Sequence, residues 1–367
     1  MVDAVGAGGI LTIDLAALIE NWRLVGRTVA PAATGAVVKA DAYGLGAKAV
    51  ARALAQAGCR HFFVAHLCEA VDLREPLPAA CSLYVLNGLM PGAEAQCAQA
   101  AAVPVLNSLD QIDRWAAHAA NLGRKLPAIL QLDSGMSRMG LSPEELAELS
   151  ASRQRLEGIE LRYIASHFAC ADEPSNPANA AQIARFEQMS AAFPEVPWTF
   201  DNSGGALGGR SGHFDLVRPG IALYGANPLT NGPNPMRPVV QLEARIVQLR
   251  RIPAGAGVGY GLTFTAGRET RIATVSIGYA DGWPCHLGNR GAAYIGGVRV
   301  PIAGRVSMDS LTLDVTDVPE AHLFPGAPVE MIGPHQTLED VAKDAGTISY
   351  EILTRLGRRY ARRHLGA

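Results

Sequence analysis

A chain of 367 residues with 49% hydrophobic and 18% charged residues can bury a full core, and at about 100–200 residues per domain it has room for two domains or for one barrel with an addition. This composition excludes a disordered or fibrous chain. Thirty-two Lys and Arg against 34 Asp and Glu leave a formal charge of −2, so there is no broad electrostatic footprint for nucleic acid or for an anionic membrane.

From Thr34 to Tyr224 short apolar runs alternate with Ala-rich segments of helical periodicity, the pattern of βα repeats around a parallel sheet. Strands are predicted at Gly35–Lys39, His61–Ala65, Leu83–Leu86, Val103–Leu106, Ala128–Leu132, Leu161–Ser166, Trp198–Phe200 and Leu216–Val217. Helices are predicted at Ala47–Ala57, Ala93–Ala102, Leu109–Leu122 and Pro143–Gln154, with Ser108 and Ser142 as N-caps. The uncharged stretch from Pro76 to Ala93 is broken by prolines and glycines, so it reads as a buried strand with its loops rather than a membrane helix.

Eight such strands match a (β/α)8 barrel, with a doubly wound open sheet as the alternative. From Met236 the texture changes to strands between Gly/Pro turns: Leu242–Leu249, Arg271–Ser276, Ala292–Ile295, Val298–Ile302 and Ser310–Val315, then a helix at Thr347–Arg359. The expected organisation is a barrel over residues 1–235 and a mostly β C-terminal domain over 236–367, joined by the Pro/Asn/Gly-rich linker Asn227–Pro238. The six cysteines, Cys59, Cys68, Cys81, Cys97, Cys170 and Cys285, are scattered without a paired spacing. They fit free thiols in a reducing compartment. The first residues carry no basic leader, and the expected location is the cytoplasm.

In a parallel barrel functional groups sit at the C-terminal ends of strands. Lys39 ends the first predicted run. A lysine in such a partly desolvated place has its charged form disfavoured and becomes a usable amine for a Schiff base; the plain alternative is a lysine that reaches solvent. Asn202-Ser203-Gly204-Gly205 and Arg218-Pro219-Gly220-Ile221 follow the last two strands, where barrels commonly hold phosphate on backbone amides; each could equally be an ordinary turn.

The segments AVVKADAYGLGA (36–47), LDSGMSRMG (132–140), SHFACAD (166–172), NSGGAL (202–207), VRPGIALYG (217–225), VGYGLTFTA (258–266), SIGYADG (276–282), AGRVSMDSLTLDV (303–315) and ISYEILTRLGRR (348–359) occur in this order. In sequence and spacing they resemble the segments of the alanine racemase family, along nearly the whole chain. The resemblance implies a pyridoxal 5'-phosphate enzyme that interconverts L- and D-alanine. In it Lys39 would hold the cofactor and act as one base, while Tyr43, Ser203, Gly220, Ile221 and Tyr350 would contact the phosphate.

Arg218 would face the pyridine nitrogen, and a guanidinium that keeps its proton leaves that nitrogen unprotonated. Racemisation needs acid/base groups on both faces of Cα. Tyr260 would be the second, its phenol tuned by His167 beside Arg218; on composition alone it reads as a loop tyrosine packing on glycines. Arg138 would contact the cofactor's phenolic oxygen and the substrate carboxylate. Met308 would approach that carboxylate with Asp309 nearby, and Tyr279 and Tyr350 would narrow the entrance.

The resemblance further implies a homodimer with shared sites, in which Tyr260, Tyr279 and Met308 come from the partner. One departure stands out: Gln131 occupies the position where many members carry a carbamylated lysine, so the negative charge that helps orient Arg138 is expected to be absent or replaced by a bound anion such as chloride near Gln131. The competing functions are a racemase for serine or for a wider amino-acid set, a non-catalytic pyridoxal-phosphate carrier, and a related decarboxylase; Arg218 speaks against the last. The arginines at 355, 358, 359, 362 and 363 read as a solvated terminus or a dimer contact.

Overall fold

The computed structural model describes residues 6–210 and 212–366. Two compact units emerge, one spanning Leu18–Arg237 and the other joining the segment up to Ala17 to the chain from Pro238 onward.

In the first unit nine strands run in one parallel order, beginning at Ala33–Thr34 and ending at Ala36–Val37. These two are halves of one run separated by Gly35. The first half pairs with Leu216–Val217 and the second with His61–Val64, while Gly35 itself donates to the Val217 carbonyl at 2.9 Å. The run thus passes from the last strand to the second, and eight strands surround a nearly closed barrel. A side chain at Gly35 would meet the Phe63 ring at 2.9 Å and the His61 carbonyl at 3.1 Å, so glycine alone fits where the run changes neighbours.

The strands lie within two residues of the expected bounds, because strands covered on both faces read as continuous apolar runs; Val103–Leu106 is buried throughout. Ser108 and Ser142 accept from the amides of Gln111 and Glu145 as expected of N-caps. The helix Leu15–Val29 places Val25 and Val29 against Val217, Ala222 and Met236.

In the second unit the long strand Val240–Ile252 is the organiser. It pairs antiparallel with Gly9–Asp14, Thr270–Val275 and Pro328–Ile332. Gly9–Asp14 also pairs in parallel with Ala361–Leu365. The expected start of the barrel at residue 1 is therefore corrected: the N-terminal strand belongs to the β unit, because its two hydrogen-bonding neighbours are there. The C-terminal helix is shorter than expected, Ser349–Arg355, and a second helix, Leu338–Ala345, with a Thr337 cap, completes the unit.

Candidate active site

The ends of the barrel strands carry most of the expected polar residues. Lys39 does not finish a strand; it opens a turn in which Ala40, Asp41, Ala42 and Tyr43 all have φ between 53° and 56°. Four successive non-glycine residues in the left-handed region cost about 1–2 kcal/mol each, so the surroundings must impose this shape. Ala42 donates to the Val38 carbonyl, Gly44 to Ala40 and Gly46 to Asp41. The Asp41 carboxylate accepts from the Ala47 amide at 2.7 Å, and Glu69 Oε1 accepts from the Ala40 amide at 2.6 Å. On the other side the buried Tyr224 donates to the Val37 carbonyl at 2.8 Å and lies 4.6 Å, ring to ring, from Tyr43. Lys39 is held from both directions. Burial, followed by the charges of Arg138 and Arg218, lowers its pKa, while Glu69 opposes the shift. That is the direction that frees an amine for chemistry.

Arg218 follows the last strand and is buried. Its guanidinium donates to Thr199 Oγ1 (2.6 Å) and to the carbonyls of Ser166 (2.6 Å) and Phe200 (3.1 Å), and lies 3.2 Å from His167 Nδ1. Burial lowers its pKa to about 10, so it remains a cation at neutral pH. A guanidinium only donates, so Nδ1 of His167 accepts and the imidazole proton sits on Nε2. Burial first, and then Arg218, Arg138 and Lys39, hold His167 well below the usual imidazole range; it is a neutral ring with a fixed tautomer.

Behind this pair the fully buried Asp201 accepts from His213 Nδ1 at 2.7 Å and from Arg210 at 3.1 Å, and its carbonyl takes the Arg218 amide at 2.8 Å. Thr199, Asp201 and Glu69 escaped the sequence reading. The one available signal was Glu69, three residues after His66 at the start of a helix, as in a capping box.

The amides of Gly220 and Ala222 both point at Ser203 Oγ, at 2.9 and 3.3 Å. A Cβ on Gly220 would stand 2.3 Å from the Tyr43 hydroxyl. Ile221 begins the short turn Ile221–Tyr224. Ser203, Gly220 and Tyr43 thus lie together, with Ile221 next in the chain, and the gap between Gly220 and Tyr43 has no room for a side chain; hydroxyls and amides of this kind suit an anion without cationic side chains.

Arg138 is exposed on a loop closed by the Leu132–Leu141 bridge, whose amides at Gly135, Met136 and Ser137 all donate to Asp133 Oδ1. Gln131, at the base of this loop, donates from Nε2 to the Met139 carbonyl at 3.4 Å. Its amide steadies the loop backbone where a carbamate would present charge.

In the β unit the expected residues lie at the surface. Tyr260 is 72% exposed, in a turn between Gly259 and Gly261, both with positive φ. Tyr279 and Met308 are joined through backbone bonds: the Tyr279 amide donates to the Ser307 carbonyl at 3.0 Å and the Ala280 amide to that of Met308 at 2.9 Å. The Asp309 carboxylate is engaged by Arg359 at 2.7 Å, and the same guanidinium reaches Asp281 at 3.0 Å. Tyr350 lies on the helix Ser349–Arg355, partly exposed.

A parallel barrel that sets a partly buried lysine, its pKa lowered, near a fixed arginine and a neutral histidine fits an enzyme class in which a lysine amine carries the chemistry. The particular family follows from comparison. Residues 13–228 match the alanine racemase N-terminal domain and residues 239–364 the alanine racemase C-terminal domain. The chain is 57% identical to a catabolic alanine racemase of Agrobacterium fabrum, covering 98% of this chain and 93% of that protein. It is 53% identical to the alanine racemase of Brucella ovis, over 97% and 93%. Among solved structures, alanine racemase from Bartonella henselae with covalently bound pyridoxal phosphate superimposes with a TM-score of 0.94 at 46% identity, covering 98% of this chain and all of that one. The biosynthetic alanine racemase of Pseudomonas aeruginosa gives 0.89 at 36% identity, over 98% and 99%. The chain belongs to the alanine racemase family.

Proposed function

We propose the following division of labour for the reaction this family performs. The reaction is the pyridoxal-phosphate-dependent racemisation of alanine, and the wider-specificity and non-catalytic alternatives are not favoured. The observation that carries the assignment is Lys39, its pKa lowered by burial and by the arginines around it, at the head of a turn whose Tyr43 hydroxyl closes on Gly220 beside Ser203.

Those residues fit the cofactor: the hydroxyls and amides offer uncharged donors for a phosphate, and Lys39 offers the amine. When bound, pyridoxal phosphate condenses with an amine and draws electrons from the α-carbon, so that its proton becomes removable. Lys39 holds the cofactor and moves the α-proton on one face. Tyr43, Ser203 and the amides of Gly220 and Ile221 hold the phosphate. Arg218 withholds a proton from the ring nitrogen, which disfavours side reactions that need a stronger electron sink.

Tyr260, supplied by a second copy, moves the proton on the opposite face, and the Nε2–H of His167 donates toward that phenol to ease its ionisation. Arg138, with the partner's Met308, Asp309 and Tyr279, orients the carboxylate and limits side-chain size. The exposure of Tyr260 and Met308, at 72% and 53%, supports a homodimer in which they are covered. Six free thiols support a cytoplasmic location. No helix among the described residues is long and apolar enough to cross a membrane.

The test is to load purified protein with pyridoxal phosphate, reduce one portion with borohydride to map the adduct, and incubate a separate, unreduced portion with each alanine enantiomer. Expected are an adduct on the Lys39 peptide and an equal mixture from either side; an unchanged enantiomer defeats the reading. Because Gln131 cannot form a carbamate, activity is expected to ignore bicarbonate and to respond to chloride, read from initial rates across both salts.

A further inference from the structure

Glu69 occupies the helix Leu67–Arg74 that follows the second barrel strand. One of its oxygens does ordinary local work: Oε2 accepts from the amides of Ala65 at 2.7 Å and His66 at 2.9 Å, closing the start of its own helix. The other does not. Oε1 reaches across 29 residues of sequence to the Ala40 amide at 2.6 Å, the first peptide after Lys39.

That amide opens the left-handed turn and has no acceptor among the turn's own carbonyls; Glu69 supplies one from a neighbouring element, as a cap does. A shape that its own residues disfavour is thereby tied to the end of the adjacent strand. The same carboxylate is the anion whose charge acts on Lys39, against the cations Arg138 and Arg218; His167, the remaining titratable neighbour, is neutral.

We propose that Glu69 is a positioning residue for Lys39, one oxygen fixing the turn from which the lysine springs and its negative charge countering the two arginines around the amine. The proposal deepens the reading of Lys39 given above and rests on it. Its consequence is twofold. Without Glu69 the lysine sits less firmly, and its ammonium form loses its one favourable charge partner among these groups, so the proton leaves at lower pH.

The experiment uses Glu69→Gln, which keeps the size of the side chain and loses the charge. In the cofactor-free protein Lys39 is acylated with an amine-reactive ester across a pH series and its peptide quantified by mass spectrometry. The midpoint is expected to fall by about half to one unit, which is roughly three- to tenfold faster labelling below the midpoint. In the loaded protein, release of pyridoxal phosphate to an apo-enzyme trap is expected to quicken several-fold. An unshifted Lys39 profile overturns the proposal whatever the activity does.

If Glu69→Gln does not fold, Glu69→Asp keeps the charge with a shorter reach: the expected result is a wild-type labelling profile with faster cofactor release, and wild-type release overturns the proposal. The two levels separate cleanly. Wild-type protein that leaves alanine unchanged defeats the reading of Lys39 itself, whereas normal wild-type racemisation with an unshifted Glu69→Gln profile defeats this inference alone.

Discussion

The two units present their chemistry in opposite ways. In the barrel, Arg218 and Ser203 are buried and Lys39 and His167 partly so; Arg218, Ser203 and His167 are each held by a non-local hydrogen bond within the unit, and Lys39 by those of its neighbours Val37 and Ala40; in the β unit Tyr260, Tyr279 and Met308 stand on short turns in solvent. Burial and fixed partners preset proton affinities before any ligand arrives. The barrel residues are fixed by their own unit, whereas Tyr260 and Met308 are left exposed by theirs.

Lys39→Ala tests the barrel half and carries the largest expected effect. Loss of the attachment amine and of one base removes racemisation by at least about 10⁴-fold, measured by chiral chromatography; activity within tenfold of wild type would detach the chemistry from this lysine. Tyr260→Phe tests the other half. Racemisation is expected to fall by about 10²–10⁴-fold while melting temperature changes little, since only one hydroxyl is removed and the ring is kept. Deuterium wash-in should continue for one enantiomer and nearly stop for the other; equal exchange of both would mean that one group serves both faces.

Acid sharpens the contrast. Burial holds His61, bonded to the Tyr84 hydroxyl at 3.0 Å, below its ordinary 6.5, and His167 lower still. The folded values lie under the unfolded one, so the unfolded chain takes the proton first. The stability involved is complete above about pH 6.5 and is lost as pH falls toward the lowered values. Melting temperature should drop between pH 7 and 5, and His61→Gln should flatten that slope; an unchanged slope would remove His61 from the account. The smallest effect is expected of Ala40→Gly. Ala40 is exposed with φ at 53°, so glycine should stabilise by about 1 kcal/mol, read from urea unfolding.

Much of the barrel was legible because its strands are continuous apolar runs, and Lys39 because it breaks one. The left-handed turn was not legible. Ala-Asp-Ala-Tyr is unremarkable by propensity, and its handedness is set by Glu69 and Tyr224 from outside together with the Asp41 carboxylate bonded to the Ala47 amide. The strand at Gly9–Asp14 went unread, and its segment was counted with the barrel, because nothing local in the chain tells which sheet it joins. Thr199 and Asp201 lie at the end of a run and in the turn that follows it, and only coordinates reveal that both serve Arg218.

The strand at Gly9–Asp14 has one more consequence. It lies beside Ala361–Leu365, with Arg363 bonded to Thr12 across 351 residues of sequence. During synthesis the barrel strands meet partners already emerged, whereas this early strand must wait for the last segment to leave the ribosome before its sheet can close. Closure of the β unit therefore follows the emergence of every barrel strand, so the turn at Ser203 and Gly220 can settle before the surface that carries Tyr260 is finished.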